Sequence, residues 1–149
     1  MMRELYTQVI MDHYQRPRNW GVLEDADLQE HLLNPLCGDE VTVYAAFDGD
    51  RVADVRFSGR GCAISQASAS MMTERLSGKS LKEAEAEIET FKEQMVGKKE
   101  FPELDELAAL KGVVKYPSRI KCAVLAWSAF HEGLSKGGRG SEGPTIPEE

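Results

Sequence analysis

The order of patterns along the chain predicts an α+β fold, in which a small three-stranded antiparallel sheet packs against about five helices. A helix comes first, because apolar residues recur every three or four positions over residues 3–14. A segment rich in Val, Thr, Tyr and Phe follows at residues 40–47, and a second strand-like segment follows at residues 51–58. Helical patterns occupy the remainder. Strands grouped between helices are typical of α+β rather than of a parallel α/β fold.

The two β-rich segments predict a hairpin. Asp48-Gly49-Asp50 separates them and has the composition of a tight turn. Residues 51–58 also alternate between apolar and polar side chains, as a half-buried strand does. A third, edge strand is expected at residues 30–33, within a mixed stretch that offers no stronger signal.

Four further helices are predicted, each with a boundary signal. Gly78 and Gly112 are expected to end two of them, and Ser80 with Glu83 forms a capping-box pattern that begins another. Pro117 introduces the last helix, which carries an apolar stripe. The four segments are residues 63–76, residues 80–95, residues 101–110 and residues 119–134.

Length and composition indicate one globular domain, residues 1–134, followed by a tail. The chain has 149 residues, of which 42% are hydrophobic, enough to bury a core. Residues 135–149 are rich in Gly, Pro and Glu, so this tail is predicted to be disordered. A net charge of −7 disfavours nucleic acid and anionic membranes as partners.

The N-terminal sequence and the number of cysteines predict the cellular compartment. No basic segment followed by an apolar run opens the sequence, and its longest apolar stretch, residues 122–127, is far too short to span a bilayer. A cytoplasmic location is therefore expected. Three cysteines are an odd number, and a reducing compartment argues against disulfides.

The cysteines suggest a metal site. Cys37, Cys62 and Cys122 each lie beside a glycine, a proline or a predicted helix start, and Asp39 follows Cys37 across Gly38. Three thiolates and one carboxylate suit Zn²⁺ and can also hold iron–sulfur species. Two alternatives stay open at this point. Each cysteine can be an inert buried side chain, and Asp39 can be a turn residue that bonds its own backbone.

Several motifs together resemble the U-type iron–sulfur cluster assembly scaffolds. The resemblance runs from about Tyr6 to Trp127, nearly the whole domain. Its most specific parts surround the three cysteines. They are Asn34-Pro35-Leu36-Cys37-Gly38-Asp39, Gly59-Arg60-Gly61-Cys62-Ala63-Ile64-Ser65 and Arg119-Ile120-Lys121-Cys122-Ala123.

Two departures from that family select its SufU-like branch. The scaffolds carry a histidine immediately before the third cysteine, where this chain has Lys121, and the region between Cys62 and Cys122 is longer here. A lysine ammonium has no lone pair for a metal. The resemblance therefore implies a zinc-dependent sulfurtransferase that serves a pyridoxal-phosphate (PLP) cysteine desulfurase and passes sulfur to a downstream scaffold. The alternative is a scaffold on which [2Fe–2S] clusters form.

The resemblance also assigns residues. Cys37, Asp39, Cys62 and Cys122 match the zinc ligands, and Cys37 matches the sulfur acceptor. We hypothesise that Cys37 is the mobile ligand while the other three hold the metal. Arg119, three positions before Cys122, is expected to face the same side and to stabilise thiolate or persulfide charge; the alternative is that it pairs with a surface carboxylate.

Other candidate residues are expected to have structural roles. His13, His31 and His131 are predicted to pack or cap rather than to bind metal. Leu5, Val9 and Tyr14 are predicted to belong to the core.

Overall fold

The computed structural model describes residues 2–35, 38–102 and 105–136. The predicted α+β fold is confirmed, with four α-helices and one 3₁₀ helix among the described residues. The elements in chain order are α1 (Met2–Gln15), β1 (Leu28–Asn34), β2 (Asp39–Asp48), β3 (Arg51–Arg60), α2 (Ala63–Leu76), α3 (Leu81–Met95), the 3₁₀ helix (Glu106–Lys115) and α4 (Pro117–Ser135). The predicted tail begins at residue 135, where α4 ends. Residues 137–149, and with them the expected disorder, lie outside the described residues.

The sheet has the order β1-β2-β3, and both pairings are antiparallel. β1 is longer than the predicted edge strand, because its alternation is disguised by polar side chains. Glu30 and Asn34 face the protein interior together with Leu28 and Leu32. A sequence pattern that assigns only apolar residues to the buried face therefore does not show the alternation of this strand.

Helices α2 and α4 cover one face of the sheet. Trp127 of α4 is completely buried, and its ring stacks on Phe91 of α3 with the centroids 4.1 Å apart. Its indole Nε1 donates to Ser68 Oγ of α2 over 2.9 Å. Burial of an aromatic ring with its polar atom satisfied favours one arrangement of the three helices.

Helix α1 is attached to the other helices through His13. This side chain is completely buried, with Nδ1 2.7 Å from Ser70 Oγ and Nε2 2.8 Å from Glu106 Oε2. His13 therefore packs, as predicted. Val9 is partly buried against the core, also as predicted, whereas Tyr14 is 41% exposed and the prediction that it is core is wrong.

The segment before α4 differs from its prediction. A short helix was expected at residues 101–110, with Gly112 ending it, but the structure has a 3₁₀ helix that begins at Glu106 and passes through Gly112 to Lys115. Asp105 explains the later start, since its side chain accepts from the backbone N–H of Leu107 and caps the helix. Gly112 does not adopt the left-handed conformation by which glycine ends helices.

None of the helices in the described ranges combines the length and the apolar character needed to cross a membrane.

Candidate metal centre

Asp39, Cys62 and Cys122 converge on one point. One carboxylate oxygen of Asp39 and the two Sγ atoms all lie within 4.8 Å of one another. The residues are far apart in sequence and lie near the starts of β2, α2 and α4. The predicted convergence of these three residues is therefore seen in the structure. Cys37, the fourth predicted ligand and the predicted sulfur acceptor, lies outside the described residues.

The β1–β2 connection positions Asp39. Asn34 and Asp39 face each other as the last pair of the two strands, and the backbone N–H of Gly38 donates to Asn34 O over 2.8 Å. Gly38 has φ +74°, a conformation that glycine adopts without steric cost. This tight connection directs the Asp39 side chain inward, where it is only 2% exposed.

Cys62 is the N-cap residue of α2 and is half-buried. Its backbone N–H donates to Asp39 Oδ1 over 3.1 Å, and its Sγ lies 3.7 Å from Asp39 Oδ2. The hydroxyl of Ser65 donates to the carbonyl oxygen of Cys62 over 3.2 Å. The Asp39 carboxylate is thus held by its first oxygen, while its second oxygen faces the sulfur.

The surroundings of Cys62 favour its thiolate. Its pKa is lowered to about 6, chiefly by a hydrogen bond with the side chain of Cys122. Backbone hydrogen bonds from Ser65 and Ile64, in the first turn of α2, also lower the pKa, whereas burial and the Asp39 charge raise it. Helix N-termini generally stabilise anionic sulfur in this way.

Cys122 lies in the second turn of α4 and is buried. Its Sγ is 3.8 Å from the carbonyl oxygen of Ser118, one helical turn earlier. Pro117 occupies the first turn of α4, a position where proline stabilises a helix start. The helix therefore holds Cys122 at a fixed depth beside Cys62.

This donor set fits a metal ion. Two cysteine sulfurs and one carboxylate oxygen within a single 4.8 Å cluster are ligands that Zn²⁺ accepts in tetrahedral sites, and thiolates also bind iron–sulfur clusters. One more ligand completes a four-coordinate site. The described residues alone do not select between the two uses.

Arg119 lies in the first turn of α4, three positions before Cys122, at the edge of a groove. Its side chain is exposed and lines a cavity of about 630 Å³ between α1, the 3₁₀ helix and the start of α4. Ile64, two positions after Cys62, lines the same groove. The sequence analysis did not predict this groove. The signals available were the one-turn spacing of Tyr6 and Ile10 on α1 and the two lysines of the 3₁₀ helix.

The remaining histidines bond carboxylates elsewhere. His31 Nε2 is 3.1 Å from Glu40 Oε1, on a pair of adjacent strands. His131 Nε2 is 3.8 Å from Glu85 Oε2, between α4 and α3. His131 also lies within 4.8 Å of one carboxylate oxygen each of Glu85 and Glu89, so the structural role predicted for it stays a prediction.

Comparison with known proteins gives one family over most of the chain. Residues 5–136 match the family described as NifU-like N terminal domain. The zinc-dependent sulfurtransferase SufU of Bacillus subtilis is 47% identical over 134 residues, covering 89% of this chain and 90% of the relative. The iron–sulfur cluster assembly scaffold protein IscU of Streptococcus pyogenes is 43% identical over 138 residues, covering 91% of this chain and 86% of the relative.

Solved structures have the same fold. A candidate iron–sulfur cluster assembly scaffold protein for the SUF system, from Fervidobacterium islandicum, superposes with a TM-score of 0.80 at 40% identity. The match covers 89% of this chain and 98% of that structure. A hypothetical protein of known crystal structure gives a TM-score of 0.81 at 43% identity, with the same two coverages.

Proposed function

Because the chain belongs to the family of NifU-like N-terminal domains, we propose that it is a zinc-dependent sulfurtransferase for iron–sulfur cluster assembly. In this proposal it accepts persulfide sulfur from a PLP-dependent cysteine desulfurase and passes it to a downstream scaffold. The observation that carries the proposal is the cluster formed by Asp39, Cys62 and Cys122. A relative named as a zinc-dependent sulfurtransferase, 47% identical over 89% of the chain, supports it.

The proposed ligands are Cys37, Asp39, Cys62 and Cys122. Three of them form the cluster described above, and Cys37 lies two positions before Asp39. When bound, zinc would keep the thiols deprotonated at neutral pH. Asp39 is well suited to stay in place, since the backbone N–H of Cys62 anchors its Oδ1.

The proposed reaction is a thiol exchange at Cys37. Its thiolate attacks the outer sulfur of the desulfurase persulfide, the sulfur–sulfur bond of that persulfide breaks, and the desulfurase thiolate leaves. The product is a persulfide on Cys37, and the exchange needs no external oxidant or reductant, because the sulfane sulfur moves from one cysteine to the other. Transfer to the scaffold repeats the exchange with the roles reversed.

We propose that Arg119 stabilises the negative charge of the reacting sulfur. The residue lies in the first turn of α4, three positions before Cys122, and its exposed side chain lines the groove together with Ile64, two positions after Cys62. A guanidinium keeps its charge at any physiological pH and forms strong hydrogen bonds with anions. It can therefore stabilise the negative charge of a thiolate or persulfide that arrives from the partner.

The groove is the proposed contact surface for the desulfurase. Its floor contains apolar side chains, and its cations are Lys111, Lys115 and Arg119. None of the described lining residues is acidic, although the chain carries a net charge of −7. A basic, partly apolar surface next to the reactive centre fits an acidic partner surface that has an apolar anchor.

The decisive experiment follows sulfur. The purified protein is mixed with a PLP-dependent cysteine desulfurase and cysteine, and both sulfide release and the mass of the Cys37 peptide are measured. A persulfide on Cys37 and faster desulfurase turnover are expected, and zinc-stripped protein should lose both. If Cys37→Ala accelerated the desulfurase normally, Cys37 would not be the acceptor. Acceleration without any persulfide would instead indicate an allosteric activator with structural zinc.

The second candidate is a scaffold that assembles [2Fe–2S] clusters. A relative named as such a scaffold is 43% identical, and the same thiolates are able to hold a cluster. Lys121, directly before Cys122, weighs against it because a protonated lysine is not a ligand. Metal analysis of protein purified without added iron separates the two, since zinc at one per chain supports sulfur transfer and a brown chromophore supports the scaffold.

A further inference from the structure

Gly61 lies against the side chain of Asp39, a member of the candidate metal centre, and against that of Ser65. An ideal Cβ at this position would be 2.7 Å from Asp39 Oδ1 and 3.0 Å from Asp39 Cγ, and it would also overlap Ser65 Oγ. Real Cβ atoms almost never come this close to other heavy atoms. The backbone at Gly61 does not adopt the left-handed conformation, so backbone strain does not explain the glycine. What Gly61 provides is space.

The neighbouring Gly59 has a different task. Its φ is +143°, and a Cβ there would overlap the backbone of Glu40 on the adjacent strand. Gly59 is thus required by the pairing of β2 with β3. Of the two glycines in Gly59-Arg60-Gly61, the first serves the sheet and the second adjoins the metal centre.

Both groups that a Cβ at Gly61 would displace already form hydrogen bonds with the backbone of Cys62. Asp39 Oδ1 accepts the backbone N–H of Cys62 over 3.1 Å, and Ser65 Oγ donates to the carbonyl oxygen of Cys62 over 3.2 Å. Ser65 can rotate its hydroxyl away. Asp39 is only 2% exposed, so its carboxylate can move only by giving up its position beside Cys62.

We propose that Gly61 is the positioning residue for Asp39. The missing side chain lets Oδ1 accept the Cys62 amide, and this contact directs Oδ2 towards the Cys62 sulfur at 3.7 Å. Gly61 thereby sets the metal affinity of the site through Asp39, although it donates no ligand itself. This inference rests on the proposed zinc-binding function.

The test measures zinc affinity of the purified full chain by competition with a chromophoric chelator. Gly61→Ala is expected to weaken zinc binding about 10- to 100-fold, the usual effect of removing support from a metal ligand. Asp39→Ala should weaken it similarly. Gly112→Ala is the matched control, because a Cβ at Gly112 meets nothing within 4 Å, and its zinc affinity should be unchanged.

A second control separates general instability from loss of the ligand. A Cβ at Gly133 would lie 2.6 Å from Leu28 Cγ, in the contact between α4 and β1. Gly133→Ala should therefore lower the melting temperature of the zinc-free protein without weakening zinc binding comparably. A parallel loss of affinity in Gly133→Ala and Gly61→Ala would show that Gly61 acts only through stability, and would overturn the proposal.

The double variant Asp39→Ala/Gly61→Ala gives the sharpest result. Once the carboxylate is removed, the added methyl group has nothing at position 39 to displace, so Gly61→Ala should cost no further zinc affinity. Equal losses from Gly61→Ala in both backgrounds would refute the proposal, as would unchanged affinity in Gly61→Ala alone. If the Gly61→Ala variant fails to fold, the proposal requires that the double variant Asp39→Ala/Gly61→Ala folds. A double variant that also fails to fold would count against the proposal.

The same measurements distinguish this inference from the function on which it rests. An unaltered chain that binds no zinc would refute the proposed function. An unaltered chain that binds zinc tightly, beside a Gly61→Ala variant that does so equally well, would refute only the role of Gly61.

Discussion

The two carboxylate oxygens of Asp39 face different neighbours. Oδ1 accepts the backbone N–H of Cys62, and Oδ2 lies 3.7 Å from its sulfur. The first contact holds the start of α2 against β2, and the second places a negative ligand at the metal centre. Variants that remove one contact at a time can therefore separate folding from metal binding.

Asp39→Asn retains an acceptor for the Cys62 amide but lacks the charge. We expect zinc affinity to fall about 10- to 100-fold, while the stability of the zinc-free protein stays close to that of the unaltered chain. Asp39→Ala should lose a similar affinity and in addition about 1 kcal/mol of stability, since the amide loses its acceptor. Chelator competition and urea denaturation of the zinc-free proteins measure the two effects. Equal stability of both variants would contradict the anchoring role of Oδ1.

Glu30 and Lys136 form a pair that joins β1 to the end of α4. Lys136 Nζ lies 2.9 Å from Glu30 Oε2, and the Glu30 side chain is fully buried while that of Lys136 is 37% exposed. The hydrogen bond with Glu30 raises the pKa of Lys136. A raised lysine pKa contributes stability that is complete below the ordinary lysine value and is lost as pH rises through the folded-state value.

Lys136→Met should therefore lower the urea midpoint at pH 7, because a buried carboxylate loses its cation. The deficit should shrink at alkaline pH, as Lys136 of the unaltered chain also loses its proton. Lys82→Met, at an exposed position of α3, is the control and should change the midpoint little. A deficit that is constant up to the most alkaline pH tested would exclude an ionic contribution from this pair.

At the scale of the elements, boundaries were predicted well where local signals act. The start of α3 is an example, since Ser80 and Glu83 make the reciprocal capping box that the sequence predicts. The edge strand and the 3₁₀ helix were predicted less well. Glu30 hides the alternation of β1 by facing inward, and Gly112 does not end its helix because tertiary packing continues past it. The inward position of Glu30 and the packing beyond Gly112 depend on long-range contacts that a local pattern does not contain, whereas the later start of the 3₁₀ helix follows from the local cap by Asp105.

Ser80→Ala removes the cap of α3. The side chain of Ser80 accepts the backbone N–H of Glu83 over 3.1 Å, and the Glu83 carboxylate accepts the backbone N–H of Ser80 over 3.0 Å. We expect a loss of about 1 kcal/mol in the free energy of unfolding, with zinc affinity unchanged because α3 contributes nothing to the metal centre. Urea denaturation measures the loss. An unchanged free energy of unfolding would show that the cap does not stabilise the protein.

Charge reversal on the 3₁₀ helix tests the proposed contact surface. Lys111→Glu/Lys115→Glu should raise the concentration needed for half-maximal desulfurase activation about 10-fold at low salt. The effect should diminish as ionic strength rises, because salt screens exposed charges. Lys82→Glu/Lys98→Glu makes the same change in net charge at exposed positions outside the groove and serves as the control. Identical effects of the two pairs would indicate that only net charge matters.

At the scale of the whole molecule, the sequence and the structure contribute differently to the metal centre. Composition and spacing made a shared site only one of several alternatives, because the cysteines do not form a CxxC pair. The family resemblance selected Asp39, Cys62 and Cys122, and the structure brings these three together. Neither the composition and spacing nor the family resemblance predicted the groove beside Arg119 or the space at Gly61. Both depend on how separate elements pack, and no single segment encodes that.

Removal of the metal should affect the entire fold. The ligands on β2, α2 and α4 belong to three elements, so an ion that binds only the folded chain stabilises all of them together. Zinc at about 100 times its dissociation constant should add about 2.7 kcal/mol to the unfolding free energy. The melting temperature should fall when a chelator is added, and less so in Asp39→Ala. A melting temperature that is independent of zinc would argue against a site that spans the fold.

The convergence of Asp39, Cys62 and Cys122 also has a consequence for the newly made chain. Translation proceeds from the N-terminus, so Asp39 and Cys62 emerge from the ribosome well before Cys122. Until α4 has been synthesised and has packed against the sheet, the thiols already made have no shared ion to protect them from oxidation or from stray metals. Under the proposed function, zinc loading would therefore belong to the last stage of biogenesis, and a chain interrupted before α4 would lack Cys122, one of the three clustered donors.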